Sequence, residues 1–235
     1  MSDNTKLRPE YFMYQVQFND YSLKNIAIAY GVYNLMKTTK ETRDLVVYMA
    51  LGDGYINKAG YLSMRHCLKQ EDYIWWKYKL LKGKVSVVEP YYVSNNGYGS
   101  YEIRTHNTRF IKLYRNIIYR RNGKKDIANR KLLNKLTPLG LAIWYMDDGG
   151  LSQKKDKNGN IKANDLMINT HLSKEDNQVI IDYFSEVWDI NFTQVKNRGH
   201  YRLRCGTREA RKFIKIVLPY VSQVPSMAHK VNVKT

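Results

Sequence analysis

Apolar residues gather into two dense runs, LVVYMALGDG at residues 45–54 and GLAIWYMDDG at 140–149, and each run stops at an Asp-Gly pair. Runs this dense predict helices covered on most sides rather than along one stripe. Thr38-Thr39-Lys40-Glu41 has capping-box spacing at the head of the first helix. Thr137-Pro138 offers an N-cap and a first-turn proline for the second. Gly54 and Gly149 stand where each helix is predicted to stop. Beyond these points the pattern changes. Residues 61–67, 84–93 and 98–106, and later 150–154, 165–171, 192–197 and 200–206, alternate or are rich in β-branched and aromatic residues, which predicts strands. Helical spacing returns at Tyr73 to Leu81, Phe110 to Tyr119, Val179 to Trp188 and Ala210 to Leu218. A further helix is predicted around Leu23 to Met36.

The same order of patterns occurs twice. Leu68-Lys69-Gln70-Glu71-Asp72 and Leu172-Ser173-Lys174-Glu175-Asp176 each open a helix, and Tyr101-Glu102-Ile103-Arg104 matches Tyr201-Arg202-Leu203-Arg204. The predicted fold class is therefore α+β, with two pseudo-symmetric αββαββα units, residues 38–130 and 131–235, behind an N-terminal extension at 1–37. Each unit would carry its sheet on one face and its helices on the other. Lys154 to Asn164 reads as a long hairpin tip or loop that accounts for the extra spacing in the second unit.

Composition narrows the function. With 43% hydrophobic residues, the 235-residue chain can bury a proper core. No apolar run approaches the roughly 18 residues of a membrane span, so no membrane partner is expected. The start, MSDNTKLRPEYF, does not read as a secretory signal. Cys67 and Cys205 are the two cysteines, without CxxC spacing. This points to an intracellular, reducing compartment (bacterial or phage-host cytoplasm, or an organelle matrix) and away from disulfides or structural zinc. Lys and Arg number 39 against 21 acids, a net charge of +18, which favours a polyanionic partner. The basic residues form no tail. They interleave with aromatics along predicted strands, as from Tyr61 to Arg65 and Tyr201 to Arg204, and so suit a surface laid against nucleic acid.

Within the repeat, Asp53 aligns with Asp148 rather than Asp147, because each closes its apolar run and precedes a glycine. A single Asp-Gly is ordinarily turn punctuation. Two such carboxylates at helix C-termini are another matter, since each faces the negative end of a macrodipole at a cost of roughly 0.3–1 kcal/mol. That arrangement calls for a cation, and Mg²⁺ suits carboxylate oxygens.

The two apolar motifs resemble the signature motifs of the LAGLIDADG homing endonucleases, most closely the single-chain, two-motif subgroup that is I-SceI-like, whose second motif similarly ends in Met-Asp-Asp-Gly-Gly. Leu141-Ala142 keeps the family's opening pair. Tyr48 and Ile143 depart from its third-position glycine, and Leu51 and Met146 replace its first acid, implying larger side chains where the motif helices touch. The resemblance spans roughly residues 38 to 235. It implies a saddle with the motif helices at the seam, and a Mg²⁺-dependent endonuclease, Mn²⁺ able to substitute, acting on double-stranded DNA as a monomer. It also implies cleavage across the minor groove of a long asymmetric target. Asp53 and Asp148 would be catalytic and metal-binding, with Gly52 and Asp147 beside them in the metal set. Lys125 and Lys230, which follow the last helix of each unit, would be the catalytic lysines, with Lys124 a rival to Lys125. Counting back from Leu68 and Leu172 pairs Arg65 with Asn169 at a position resembling the family's water-organising site. Arg65, Lys69, Arg104, Lys196, Arg202 and Arg204 are the candidate DNA contacts. Trp75 and Trp76 read as core residues rather than base-stacking groups, and the five histidines as scattered, His229 beside Lys230 being the one to watch. The resemblance leaves open an intron RNA maturase on the same fold, and the charge alone a DNA-binding regulator. Neither needs Asp53 and Asp148, which favours the nuclease. Without protein-splicing features at its ends, the chain reads as intron-encoded or free-standing.

Overall fold

The computed structural model describes residues 38–232, apart from 96 and 198. The helix predicted around 23–36 lies outside the described residues. The region from Thr38 onward is a compact unit of its own.

Helix α1 (Lys40–Leu51) leads to strands β1 (Tyr55–Ile56) and β2 (Leu62–Cys67), helix α2 (Glu71–Leu81), strands β3 (Tyr91–Asn95) and β4 (Tyr98–Arg104), and helix α3 (Arg109–Ile118). After a short connecting helix α4 (Arg130–Leu133) the order repeats as α5 (Pro138–Asp148), β5 (Gly149–Lys155), β6 (Ile161–Leu172), α6 (Lys174–Trp188), β7 (Thr193–Asn197), β8 (His200–Cys205) and α7 (Thr207–Val221). Both sheets are antiparallel with the same strand order, β1-β2-β4-β3 and β5-β6-β8-β7. This is the predicted α+β repeat.

Register ties the halves together residue by residue. Ser63 faces Arg104 and Met167 faces Arg204, while Tyr55 faces Ser63 and Gly150 faces Met167. With Arg104 and Arg204 as equivalents, Tyr55 corresponds to Gly150. Two residues back, Asp53 corresponds to Asp148; the register of β6 shifts after Ile168, and the count back from the matched Leu68 and Leu172 pairs Arg65 with Asn169.

Local differences from the sequence reading have simple causes. The cap of α1 is Thr39, which accepts a hydrogen bond from Thr42 N at 3.2 Å, one residue later than the capping box predicts. Glu41 consequently pairs with Lys84 at 2.8 Å instead of reaching back. The helix stops at Leu51 on Gly52, not Gly54, whose N–H closes the turn on Met49 O at 2.9 Å. Residues 84–90 are not strand, and β3 begins only after Pro90, which has no N–H for a ladder. Most of the predicted 154–164 loop is strand, because β5 and β6 extend over it.

Both motif helices are covered on nearly every side: Leu45 to Leu51 and Leu141 to Met146 are buried throughout. They pack against each other. Tyr48 lies over Gly140, where a Cβ would come within 2.8 Å of the ring. Near the other end Gly52 meets Asp147. The two contacts run in the same chain direction, so both helix C-termini arrive at one place. The larger side chain expected at the seam is therefore present on one side, accommodated by glycine on the other. Of the two tryptophans expected in the core, Trp76 is buried and its indole N–H donates to Gln223 across the seam at 3.0 Å, whereas Trp75 is only half-buried.

Candidate active site

Where the ends of α1 and α5 converge, three aspartates and three lysines influence one another electrostatically: Asp53, Asp147 and Asp148 with Lys77, Lys125 and Lys230. The two predicted lysines each reach the end of a motif helix, one residue out of step with each other in the repeat. Lys125 Nζ donates to Gly52 O just past α1, and Lys230 Nζ donates to Met146 O near the end of α5, at 2.5 Å. Each thus satisfies a carbonyl at a helix terminus and sets positive charge against the negative dipole end. Lys124, the rival of Lys125, is exposed instead. Tyr145, deep in the second half, holds the segment bearing Lys230 by donating to its carbonyl at 2.7 Å.

Asp147 is treated differently from its neighbours. Its side chain is wholly buried, and its carboxylate accepts from Lys77 Nζ at 2.6 Å, Tyr73 Oη at 2.8 Å and the backbone N–H of Asp53 at 2.9 Å. Lys77 is itself fully buried, with His66 Nε2 at 3.0 Å. His66 also stands 3.9 Å from Asp53 Oδ2, and ligand atoms of Asp53, His66 and Asp147 lie within 4.8 Å of one another. The three protein donors already on Asp147 make its carboxylate a structural acceptor first.

Burial raises the Asp148 carboxyl to about 7, and repulsion from Asp147 and Asp53 adds to it. Asp53 is also raised, by burial and then by Asp147. Burial pushes Asp147 up as well, but Lys77, His66 and the Asp53 N–H together hold it below the usual carboxylate value. Burial lowers both Lys125 and Lys230. Burial and Lys77 together depress His66 to about 3, so its ring is neutral at ordinary pH. Two carboxylates remain short of positive charge, at helix ends and with oxygen donors, which is a fit for a hard divalent cation.

The remaining candidates divide by sheet face. Arg65 and Arg104 lie on the outer face of the first sheet, opposite the buried Met64 and Ile103. Arg65 pairs with Glu102 at 2.5 Å, and Arg104 sits 4.3 Å over the Tyr61 ring. Arg202 and Arg204 take the outer face of the second sheet, with Arg204 on Asp165 at 2.8 Å. Lys196 faces Tyr201 and so shares the side of the buried Leu203, away from Arg202 and Arg204. Lys69 is exposed in the 3-10 turn before α2. Asn169 Nδ2 donates to Asp148 O at 3.1 Å. A cleft lined by Asp53, Tyr55, Arg65, His66, Gln70 and Glu102 joins the first acid to the outer sheet face.

Sequence reasoning missed His66, Tyr73 and Lys77. A signal was present: His66 continues the inward alternation of Leu62 and Met64, and Lys77 falls in the buried phase of α2 with Tyr73 and Ile74. A lysine in an inward phase needs a buried acid, and Asp147 is that acid.

Gly52 allows the arrangement. A Cβ there would stand 2.1 Å from Asp147 Oδ2. Gly52→Ala is expected to cost about 1–3 kcal/mol through overlap with a side chain that has no free direction to move. Urea unfolding measures this; an unchanged midpoint would show that Asp147 yields freely.

A model described as the LAGLIDADG DNA endonuclease family matches residues 43–213. Among solved structures, the homing endonuclease I-WcaI bound to its DNA recognition sequence shares the fold, with a TM-score of 0.67, 22% identity and coverage of 94% of this chain and 97% of that one. Protein RecA of Mycobacterium gastri is 28% identical over 203 residues, 80% of this chain and 46% of the relative. The probable intron-encoded endonuclease 1 of Wickerhamomyces canadensis is 30% identical over 110 residues, 46% of each. The chain spans less than half the length of these curated relatives.

Proposed function

Matched by its model over residues 43–213, the chain belongs to the LAGLIDADG DNA endonuclease family, and on that premise we propose that it is a site-specific endonuclease hydrolysing both strands of a long, asymmetric DNA target. The observation that carries this reading is the convergence of Asp53 and Asp148, equivalent by register, at the ends of two helices packed side by side. Cutting across a minor groove about 6 Å wide requires two acids brought near one another. Each serves one strand. Mg²⁺, or Mn²⁺ in its place, supplies Lewis-acid polarisation of the phosphodiester when bound there. Asp53 and Asp148 would hold it by their carboxylates, with Gly52 and Asp147 beside them in the metal set. Lys125 and Lys230 bring positive charge toward each scissile phosphate. Asn169 and Arg65 stand at matching places to orient water. Arg65, Arg104, Arg202 and Arg204 face DNA from the outer sheet surfaces, and a single chain provides both half-sites.

The reading is tested by cleavage of a pool of long duplexes in Mg²⁺, with the cut ends sequenced. One asymmetric site cut on both strands, and silenced by a chelator, is the expected result. Binding of intron RNA without any metal-dependent DNA cleavage would overturn it in favour of a maturase.

A charge of +18 makes binding salt-sensitive. If about eight to ten phosphates are neutralised, log K against log salt should fall with a slope near −7 to −9. A titration in Ca²⁺, where cutting is expected to be held off, measures it. A nearly flat response would show that the basic residues do not face DNA.

Acid–base linkage gives a second test. The Asp148 carboxyl is raised in the folded protein, so its contribution to stability is fully present below about pH 4 and is lost as pH rises through about 7. A cation competes with that proton. The rise in unfolding temperature caused by Mg²⁺ should therefore be larger at pH 8 than at pH 5.5. An equal rise at both would place the cation elsewhere.

A further inference from the structure

We propose that Asp147 and Lys77 form a buried positioning pair that fixes Asp53 alone, so that the two cleavage centres of this chain are unequal. The proposal rests on the reading that each aspartate serves one strand. Asp147 comes from the second half, yet its carboxylate takes the backbone N–H of Asp53 in the first. From the other side α2 supplies Lys77 and Tyr73 to the same carboxylate. His66 backs this group, its ring centroid 4.8 Å from that of Tyr73 and its Nε2 3.0 Å from Lys77 Nζ. Kept neutral, His66 can accept from Lys77 through that nitrogen.

The second half has no such device at the equivalent positions. His66 corresponds to Thr170 by counting back from the matched Leu68 and Leu172, and Asp147 to Gly52 by the register of β1 and β5. The matched pentads place Tyr73 with Asn177 and Lys77 with Ile181. There Thr170 Oγ1 donates to Asn177 Oδ1 at 2.6 Å in a buried, uncharged bond. Ile181 carries no charge, and Gly52 has no side chain. Asp148 is held instead through its carbonyl by the half-buried amide of Asn169 at 3.1 Å. Asp148 is the last residue of α5 and its backbone is held by the helix itself, with the Gly149 N–H on Tyr145 O, whereas Asp53 lies beyond the end of α1 and takes its N–H partner from the Asp147 carboxylate. Displacement of a reacting group by about 1 Å costs on the order of a hundredfold in rate.

The test follows both strands of an end-labelled target separately. Asp53→Asn and Asp148→Asn identify the strand each acid serves. The variant Lys77→Met with Asp147→Asn removes both charges together and so leaves no buried ion unpaired. It is expected to slow the Asp53 strand by about thirtyfold or more and the Asp148 strand by less than about threefold. Tyr73→Phe, which keeps the ion pair, should slow the same strand by a smaller factor. Equal slowing of both strands, slowing of the Asp148 strand alone, or no slowing overturns the proposal. If Asp53→Asn silences both strands alike, the one-acid-per-strand reading fails, and amide hydrogen exchange decides the positioning role instead. Faster exchange at Asp53 N–H with Gly149 N–H unchanged in the double variant upholds it. Unchanged exchange at Asp53, or acceleration at both, overturns it.

Discussion

Replacing Asp53 and Asp148 together with asparagine is expected to lower cleavage by about a thousandfold or more, the loss of several kcal/mol of charge stabilisation at the phosphate. Binding to the target in Ca²⁺ should change little, because the basic outer faces of the two sheets are untouched. The replacement is nearly isosteric and removes two carboxyls that burial, and then repulsion from Asp147, have raised. In the absence of metal at pH 8 the double variant should therefore unfold at a higher temperature than the parent. Activity and stability move in opposite directions, as at other sites where charge is gathered for chemistry. The Mg²⁺-induced rise in unfolding temperature should disappear along with cleavage. Nicking of supercoiled DNA at an unchanged rate would remove both aspartates from the site. A single replacement should either stop cutting or leave an enzyme that nicks one strand, according to whether metal is shared.

The second large effect is on stability. Lys77→Met alone leaves the Asp147 carboxylate fully buried without its cation, a loss of about 3–5 kcal/mol. Its pH dependence has a definite sign. In the parent, against burial, Lys77 with His66 and the Asp53 N–H holds Asp147 below its ordinary value, so the group stabilises the fold above about pH 4 and that contribution is lost as the carboxyl protonates in acid. Without Lys77, burial weighs more heavily on the charged carboxylate, and the variant is most handicapped at neutral pH. The gap between parent and variant in urea unfolding should be wide at pH 7 and narrower at pH 4. Adding Asp147→Asn should recover much of the loss. An equal gap at both pH values would mean that the lysine stem, not its charge, matters.

The legible part of this molecule was whatever repeats. Two apolar runs ending in Asp-Gly, two charged pentads and two Tyr-x-x-Arg strands place the elements and align Asp53 with Asp148. Positions that break the repeat were harder to read. His66, Tyr73 and Lys77 have Thr170, Asn177 and Ile181 as counterparts, so comparing the halves hides their chemistry. Their partner Asp147 was legible only as the neighbour of an acid with a clearer role. The short β1 and α4 carry too few residues for any periodicity to show. The face taken by Lys196 depends on the register of the β7–β8 hairpin, which a count of basic residues along the chain does not fix.

The seam also bears on which halves can be recombined. Besides Lys77 with Asp147, Trp76 bonds Gln223, and Asp72 accepts from Ser226 N at 2.8 Å. A chimera that grafts the second half of a relative onto this first half would inherit Lys77 with no assurance of an acid to receive it. Grafting in the other sense would deliver Asp147 against whatever residue replaced Gly52. The two units thus behave as a matched lock and key, and shuffling is compatible only when Gly52, Lys77 and Asp147 travel as one set.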